Sequence, residues 1–179
     1  MSLFKKFTTL DLVIISICSA TGLALKPLLS PLVHIISSPL LIPGGSLIGG
    51  IYLIWIVLGA FLVNKTGAAF SVGFIQGLVI MVIGLMGSHG GLSLLIYLIP
   101  GLLVDIVLLI FRFSAESIFS HALLNIVANL SGVLIVSVIV LRLPLIPLLL
   151  SISACLFSSF IGGFISYEIY KQVRKVNIL

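Results

Sequence analysis

The sequence predicts an all-α integral membrane protein with six transmembrane helices and both termini in the cytoplasm. Three observations carry this expectation. Of the 179 residues, 61% are hydrophobic and only 7% are charged, whereas a soluble domain carries roughly 25% charged residues. The apolar residues fall into six runs close to the roughly 20 residues that a spanning helix needs. Together these runs use nearly the whole chain and make one domain of residues 1–179. With the N-terminus inside, Lys5, Lys6, Lys65, Arg112, Lys171, Arg174 and Lys175 lie on the inner side. Only Lys26 and Arg142 lie outside, an asymmetry that orients membrane chains. The composition excludes a soluble enzyme, and it is too hydrophobic for disorder. The sequence contains no GxxxxGK[ST] loop, which excludes ATP hydrolysis by that route.

The first helix is predicted over 9–26. Lys5 and Lys6 before an apolar stretch resemble a signal peptide, but the run continues through Leu25 and five more spans follow, so a retained helix is expected. Residues 27–48 hold Pro27, Pro31, Pro39 and Pro43, four of the seven prolines. Proline at this density breaks regular helix. The segment is still greasy, which predicts a long outer loop packed on protein as a structured lid or re-entrant piece. The second helix is expected over 49–63, ending at Asn64-Lys65-Thr66, and the third over 67–86. The fourth covers 92–111 and is interrupted by Pro100-Gly101. The fifth covers 114–141, with Ser114 as N-cap and Glu116 favouring the helix dipole in the first turn. The sixth covers 145–170, followed by a basic tail. Cys18 and Cys155 lie inside apolar runs and read as small buried hydrophobes.

Polar groups inside a membrane are costly, so each one is a candidate for function or for helix–helix bonding. His121, Asn125 and Asn129 recur every four residues and share one helix face. They serve either as interhelical hydrogen-bond glue or, for the asparagines, as contacts to a solute. Tyr52, Trp55 and Tyr97 fall in outer helical turns, where they form an interfacial belt or wall a site for a flat solute. Gln76 sits in mid-helix, and Ser88 and His89 occupy a glycine-flanked outer turn. These residues make a candidate solute site. The histidines lack the partners a metal centre needs, so neither a metal nor a cofactor is expected. No Gly-x-Ser-x-Gly elbow or assembled nucleophile supports hydrolase chemistry. Ala20 and Ala24, with Ser16 one turn earlier, make a small-xxx-small face on which another helix can pack closely.

These features together resemble the substrate-binding S component of an energy-coupling factor (ECF) transporter, nearest to its thiamine or hydroxymethylpyrimidine type. Asn64-Lys65-Thr66-Gly67-Ala68-Ala69 resembles that branch's basic-x-Gly-Ala-Ala turn. Gly87-Ser88-His89-Gly90-Gly91-Leu92 resembles its Gly-Ser/Asn-x-x-Gly turn. Pro100-Gly101 lies where the branch has Gln-Gly before an acid, with Asp105 near that acid. The third helix departs from the branch, because Gly73-Phe74-Ile75-Gln76-Gly77 carries no acidic residue. A cationic thiazolium would lack its counter-charge there, so a neutral or weakly charged heterocycle is expected.

The resemblance implies a non-catalytic capture subunit of an importer in the prokaryotic plasma membrane, binding a vitamin or vitamin precursor. It also implies one transmembrane coupling subunit, docked on Ala20 and Ala24, and two ATPase subunits. The alternative is a structural or assembly subunit of a membrane complex. A third reading is an intramembrane enzyme or proton-linked carrier centred on Asp105 and His121.

Overall fold

The computed structural model describes residues 6–84 and 90–176. The regular elements among them are helical: α1 (Thr9–Ser37), α2 (Gly44–Tyr52), α3 (Ile54–Val63), α4 (Ala68–Ile83), α5 (Leu92–Phe111), α6 (Ile118–Leu134) and α7 (Leu145–Lys175). A π-helical turn, Ile135–Val140, extends α6. Only Leu53 separates α2 from α3, and the two behave as one 20-residue span. Among the described residues five stretches are long and apolar enough to cross a membrane, and the apolar α4 is shorter at 16 residues. The chain is a multi-pass membrane protein.

The largest correction concerns the expected loop over 27–48. Helix α1 continues through Pro27 and Pro31 to Ser37, and α2 begins at Gly44 rather than at 49. The long outer loop after the first helix shrinks to residues 38–43. Each proline removes one i→i−4 hydrogen bond, here to the carbonyls of Leu23 and Pro27. The two prolines stand four apart on an exposed face. In an apolar medium, uncoiling the segment would free many more backbone groups than the prolines do.

Smaller corrections follow from local capping. The fifth helix starts at Ile118, not 114, because Ser114 turns back to accept a hydrogen bond from the Glu116 N–H at 3.2 Å. Glu116 therefore precedes the helix. The last helix runs past 170 to Lys175. Gly84 in left-handed geometry ends α4 at Ile83, short of the expected 86. At the start of α1, the Thr8 N–H donates to the Asp11 carboxylate at 2.6 Å, and the Asp11 N–H donates to Thr8 Oγ1 at 3.3 Å. This reciprocal cap also takes an ion pair from Lys65.

The bundle is held by backbone-close crossings. Helix α4 packs most extensively on α5, and α7 on α6 and α2. A Cβ on Gly101 would lie 2.5 Å from the Ala69 carbonyl oxygen, so only glycine fits where α5 crosses α4. Gly162 on α7 likewise faces the Gly50 backbone of α2 with no room for a side chain. Small residues drive helix association in lipid by allowing this approach. The α2–α7 crossing holds the glycine-rich start of α2 at the end of the bundle opposite the start of α1 and the end of α7.

Candidate functional site

At that end a cavity of about 280 Å³ opens among the last turns of α1, the start of α2, the start of α5, and the end of α6 with its π turn. This approaches the lower end of the range for small-molecule sites, about 300–1,000 Å³. Four polar residues of α1, at 26, 30, 34 and 37, line it at helical spacing. Lys26 is 8% exposed, and its ammonium lies 5.3 Å from the centroid of the Tyr97 ring. Such a cation–ring contact contributes about 0.5–2 kcal/mol. Tyr52 and Tyr97 supply two aromatic walls, and Ile48, Leu53, Ile96 and Val133 supply apolar ones. At the mouth, Ser37 and His34 stand against Gly44, the first residue of α2, whose N-cap Pro43 offers no capping side chain. The start of α2 thus sits at the cavity mouth, with the Ser46 N–H closed on the Pro43 carbonyl at 2.9 Å and the Gly44 and Gly45 N–H groups left without a capping side chain.

The structure brings together part of the predicted site. Tyr52, Tyr97 and Asn129 line the cavity. Asn129 Nδ2 donates to Ser159 Oγ at 2.9 Å and to Ser158 Oγ at 3.1 Å, which fixes the amide in one orientation. Asn125 is buried elsewhere. Its amide donates to the carbonyls of Gly50 and Ser159, both at 2.9 Å, and ties α6 to α2 and α7. Trp55 and Gln76 pack together against Gly22 of α1 and are not among the lining residues. Ser88 and His89 lie outside the described residues.

The other polar candidates resolve into structural roles. His121 Nε2 contacts the Ala115 carbonyl at 3.1 Å and so carries the proton, which leaves Nδ1 to accept from the Ser166 hydroxyl at 2.9 Å. Phe61 covers the ring at 4.3 Å between centroids. Asp105 accepts the Phe70 N–H at 2.8 Å and caps the start of α4 from α5. Neither group faces the cavity. Ala20 and Ala24 are both exposed on the outer surface of α1, whereas the residues that pack inward from α1 include Cys18, Ser19 and Gly22.

The sequence reading missed Lys26, Ser30, His34 and Ser37. Lys26 reads as an outer end marker if α1 stops there. Polar residues at 26, 30, 34 and 37 keep helical spacing straight through the prolines, and that periodicity is the signal for them.

The family described as "ABC-type cobalt transport system, permease component" matches residues 10–131. The chain belongs to this family. A solved structure titled "Crystal structure of an S-component of ECF transporter" is similar to the chain at a TM-score of 0.79 and 20% identity. The match covers 97% of this chain and 88% of the other. The fold of this permease-component family member is therefore that of an ECF S component. Family and fold are those of transporter components, not of enzymes. No curated protein matches the chain. In this S-component fold the cavity gathers the aromatic and polar residues at one end of the bundle, and the four carboxylates lie elsewhere.

Proposed function

We propose that this chain is the solute-capture subunit of an ECF-type importer and binds a vitamin or vitamin precursor in the cavity between α1, α2, α5 and α6. The observation that carries the reading is the tyrosine-walled cavity that opens at one end of the bundle, with polar groups converging from α1, α2 and α6. A structural subunit has no need of such a site. Six described basic residues, Lys6, Lys65, Arg112, Lys171, Arg174 and Lys175, lie at the other end of the bundle and orient the cavity outward, with Arg142 alone on the outer side once Lys26 is placed inside the helix. The exposed Ala20/Ala24 face is where a transmembrane coupling subunit docks, and two ATPase subunits supply the energy.

The thiamine-related class supplies the first candidates, and within it a pyrimidine without a thiazolium fits best. The family description names cobalt. The lining offers one imidazole, His34, and no thiolate or carboxylate. Among the described residues no group of three or more His, Cys, Asp or Glu could hold a metal ion. That donor set favours an organic solute over a divalent cation.

Mass spectrometry of small molecules released from the detergent-purified protein tests the reading. A heterocycle should co-purify at near-stoichiometric yield and be lost in Tyr97→Ala. Absence of any solute from folded protein, together with unimpaired uptake by the Tyr97→Ala protein, would move the site elsewhere.

A further inference from the structure

We infer that the cavity selects an anionic solute, one bearing a carboxylate or phosphate, and that Lys26 is its counter-charge. This rests on the capture reading and adds the charge of what is captured.

Lys26 lies seventeen residues into α1, roughly 26 Å along the helix from Thr9 at 1.5 Å per residue. It is a buried cation within a membrane-spanning segment, where ionisable groups are rare and pair with one another or mark solute pathways. Among the described residues it has no ion pair. All four carboxylates of the chain are described, and each is committed elsewhere. Asp11 holds Lys65 and Thr8. Asp105 accepts the Phe70 N–H. Glu116 faces Arg174 at 4.0 Å, and Glu168 faces Lys171 at 4.0 Å. None of them lines the cavity. Among the described residues the ammonium's one partner is the face of Tyr97, a weak substitute for a counter-ion.

The rest of the lining holds no carboxylate and brings together helix ends of both signs, the carbonyl ends of α1 and α6 and the N–H ends of α2 and α5. At the mouth the Gly44 and Gly45 N–H groups that open α2 have no capping side chain, the Ser46 N–H being closed on the Pro43 carbonyl at 2.9 Å, and Ser30, Ser37 and Ser38 add hydroxyls that can donate. With helix ends of both signs around it, the cavity takes its charge preference from the one buried ammonium and the absence of any carboxylate, which favours anions over cations. A flat solute between Tyr52 and Tyr97 can place an acidic substituent on Lys26. The same arrangement excludes thiazolium-bearing solutes and divalent metal ions by charge alone.

The test uses the full chain in phosphatidylcholine nanodiscs, which present no net-anionic lipid. Binding is measured for matched pairs: hydroxymethylpyrimidine and its phosphate, pyridoxine and its phosphate, nicotinamide and nicotinate. For the pair that binds, the wild type should favour the anionic member by at least tenfold. Lys26→Met should reduce the two members to equal affinity, and Lys26→Arg should keep the preference. The unliganded Lys26→Met protein should melt no lower than wild type, because the variant removes a buried charge without a partner; this separates lost binding from lost folding. Equal binding of both members to wild type, lost in Tyr97→Ala, would overturn the charge selection and leave the capture reading standing. So would an unchanged preference in Lys26→Met, or a bound solute that proves to be a cation. A bound anion that proves to be phosphatidylglycerol, when that lipid is added, would assign Lys26 to a headgroup and overturn the inference. Failure of every pair to bind, with no solute co-purifying, would remove the capture reading and this inference together.

Discussion

Replacing Gly101 with alanine should destabilise the bundle, although alanine is the better helix former. A Cβ built on Gly101 lies 2.5 Å from the Ala69 carbonyl oxygen, 3.0 Å from its carbonyl carbon and 3.1 Å from Phe70 Cα. All three atoms are backbone, so no side chain can turn aside. Real Cβ atoms do not approach closer than 3.0 Å, so α4 must retreat from α5 by at least half an ångström. The Phe70 N–H donates to Asp105, one turn beyond Gly101, at 2.8 Å. The same retreat carries that bond beyond about 3.2 Å, the outer edge of good geometry. Overpacking costs about 1–3 kcal/mol, and a weakened helix cap costs about 1 kcal/mol more. The intrinsic gain of glycine to alanine, about 1 kcal/mol, offsets part of this. The net expectation is a loss of about 1–3 kcal/mol. Gly132 in α6 is the control, because a Cβ there meets its nearest atoms at 3.6 and 3.8 Å, ordinary contact. Gly132→Ala should be neutral or stabilising by up to about 1 kcal/mol. Thermal unfolding of both variants in detergent measures the difference, with circular dichroism to follow helix loss. Equal stability of Gly101→Ala and wild type would refute the reasoning, as would equal losses in the two variants, because then backbone proximity would not set the sign.

Three further predictions rest on other parts of the structure. Ala24→Trp, on the exposed face of α1, should abolish uptake in cells while the isolated subunit keeps its solute affinity and melting temperature; joint loss of binding and folding would place Ala24 in internal packing. Asp105→Asn should cost no more than about 1 kcal/mol, since an amide oxygen can still accept the Phe70 N–H, whereas Asp105→Ala should cost about 1–2 kcal/mol; equal abolition of uptake by both, with folding intact, would instead mark a proton-carrying acid. A cysteine placed at the exposed Gly91 should react with a membrane-impermeant maleimide from outside intact cells, and one placed at Asn64 should not. Cys18 and Cys155 are buried and should give little background. The reverse pattern would invert the orientation.

Low charge, long apolar runs and glycine-rich turns are properties of the chain itself, and they determined the membrane class, the order of the helices and the aromatic character of Tyr52 and Tyr97. Those features are legible because within a bilayer only helices and closed barrels satisfy the backbone, and continuous apolar runs of about 20 residues match the helix. The tertiary structure decided where each polar side chain points. His121, Asn125 and Asn129 share one stripe, yet only Asn129, the one nearest the cavity end of α6, lines the cavity, while Ser166 and the Ala115 carbonyl hold His121 and the Gly50 and Ser159 carbonyls hold Asn125. Trp55 lies one turn beyond Tyr52 and turns instead toward Gly22. Lys26 shows the limit most clearly. Local propensity ends its helix at Pro27 and makes it an outer charge. Packing of α1 against α2, α3 and α4 carries the helix eleven residues further and leaves the same ammonium inside the protein. Proline's cost is local, one hydrogen bond at each site; the gain from a continued helix is spread over every neighbour it meets, and those neighbours are set only when the bundle closes.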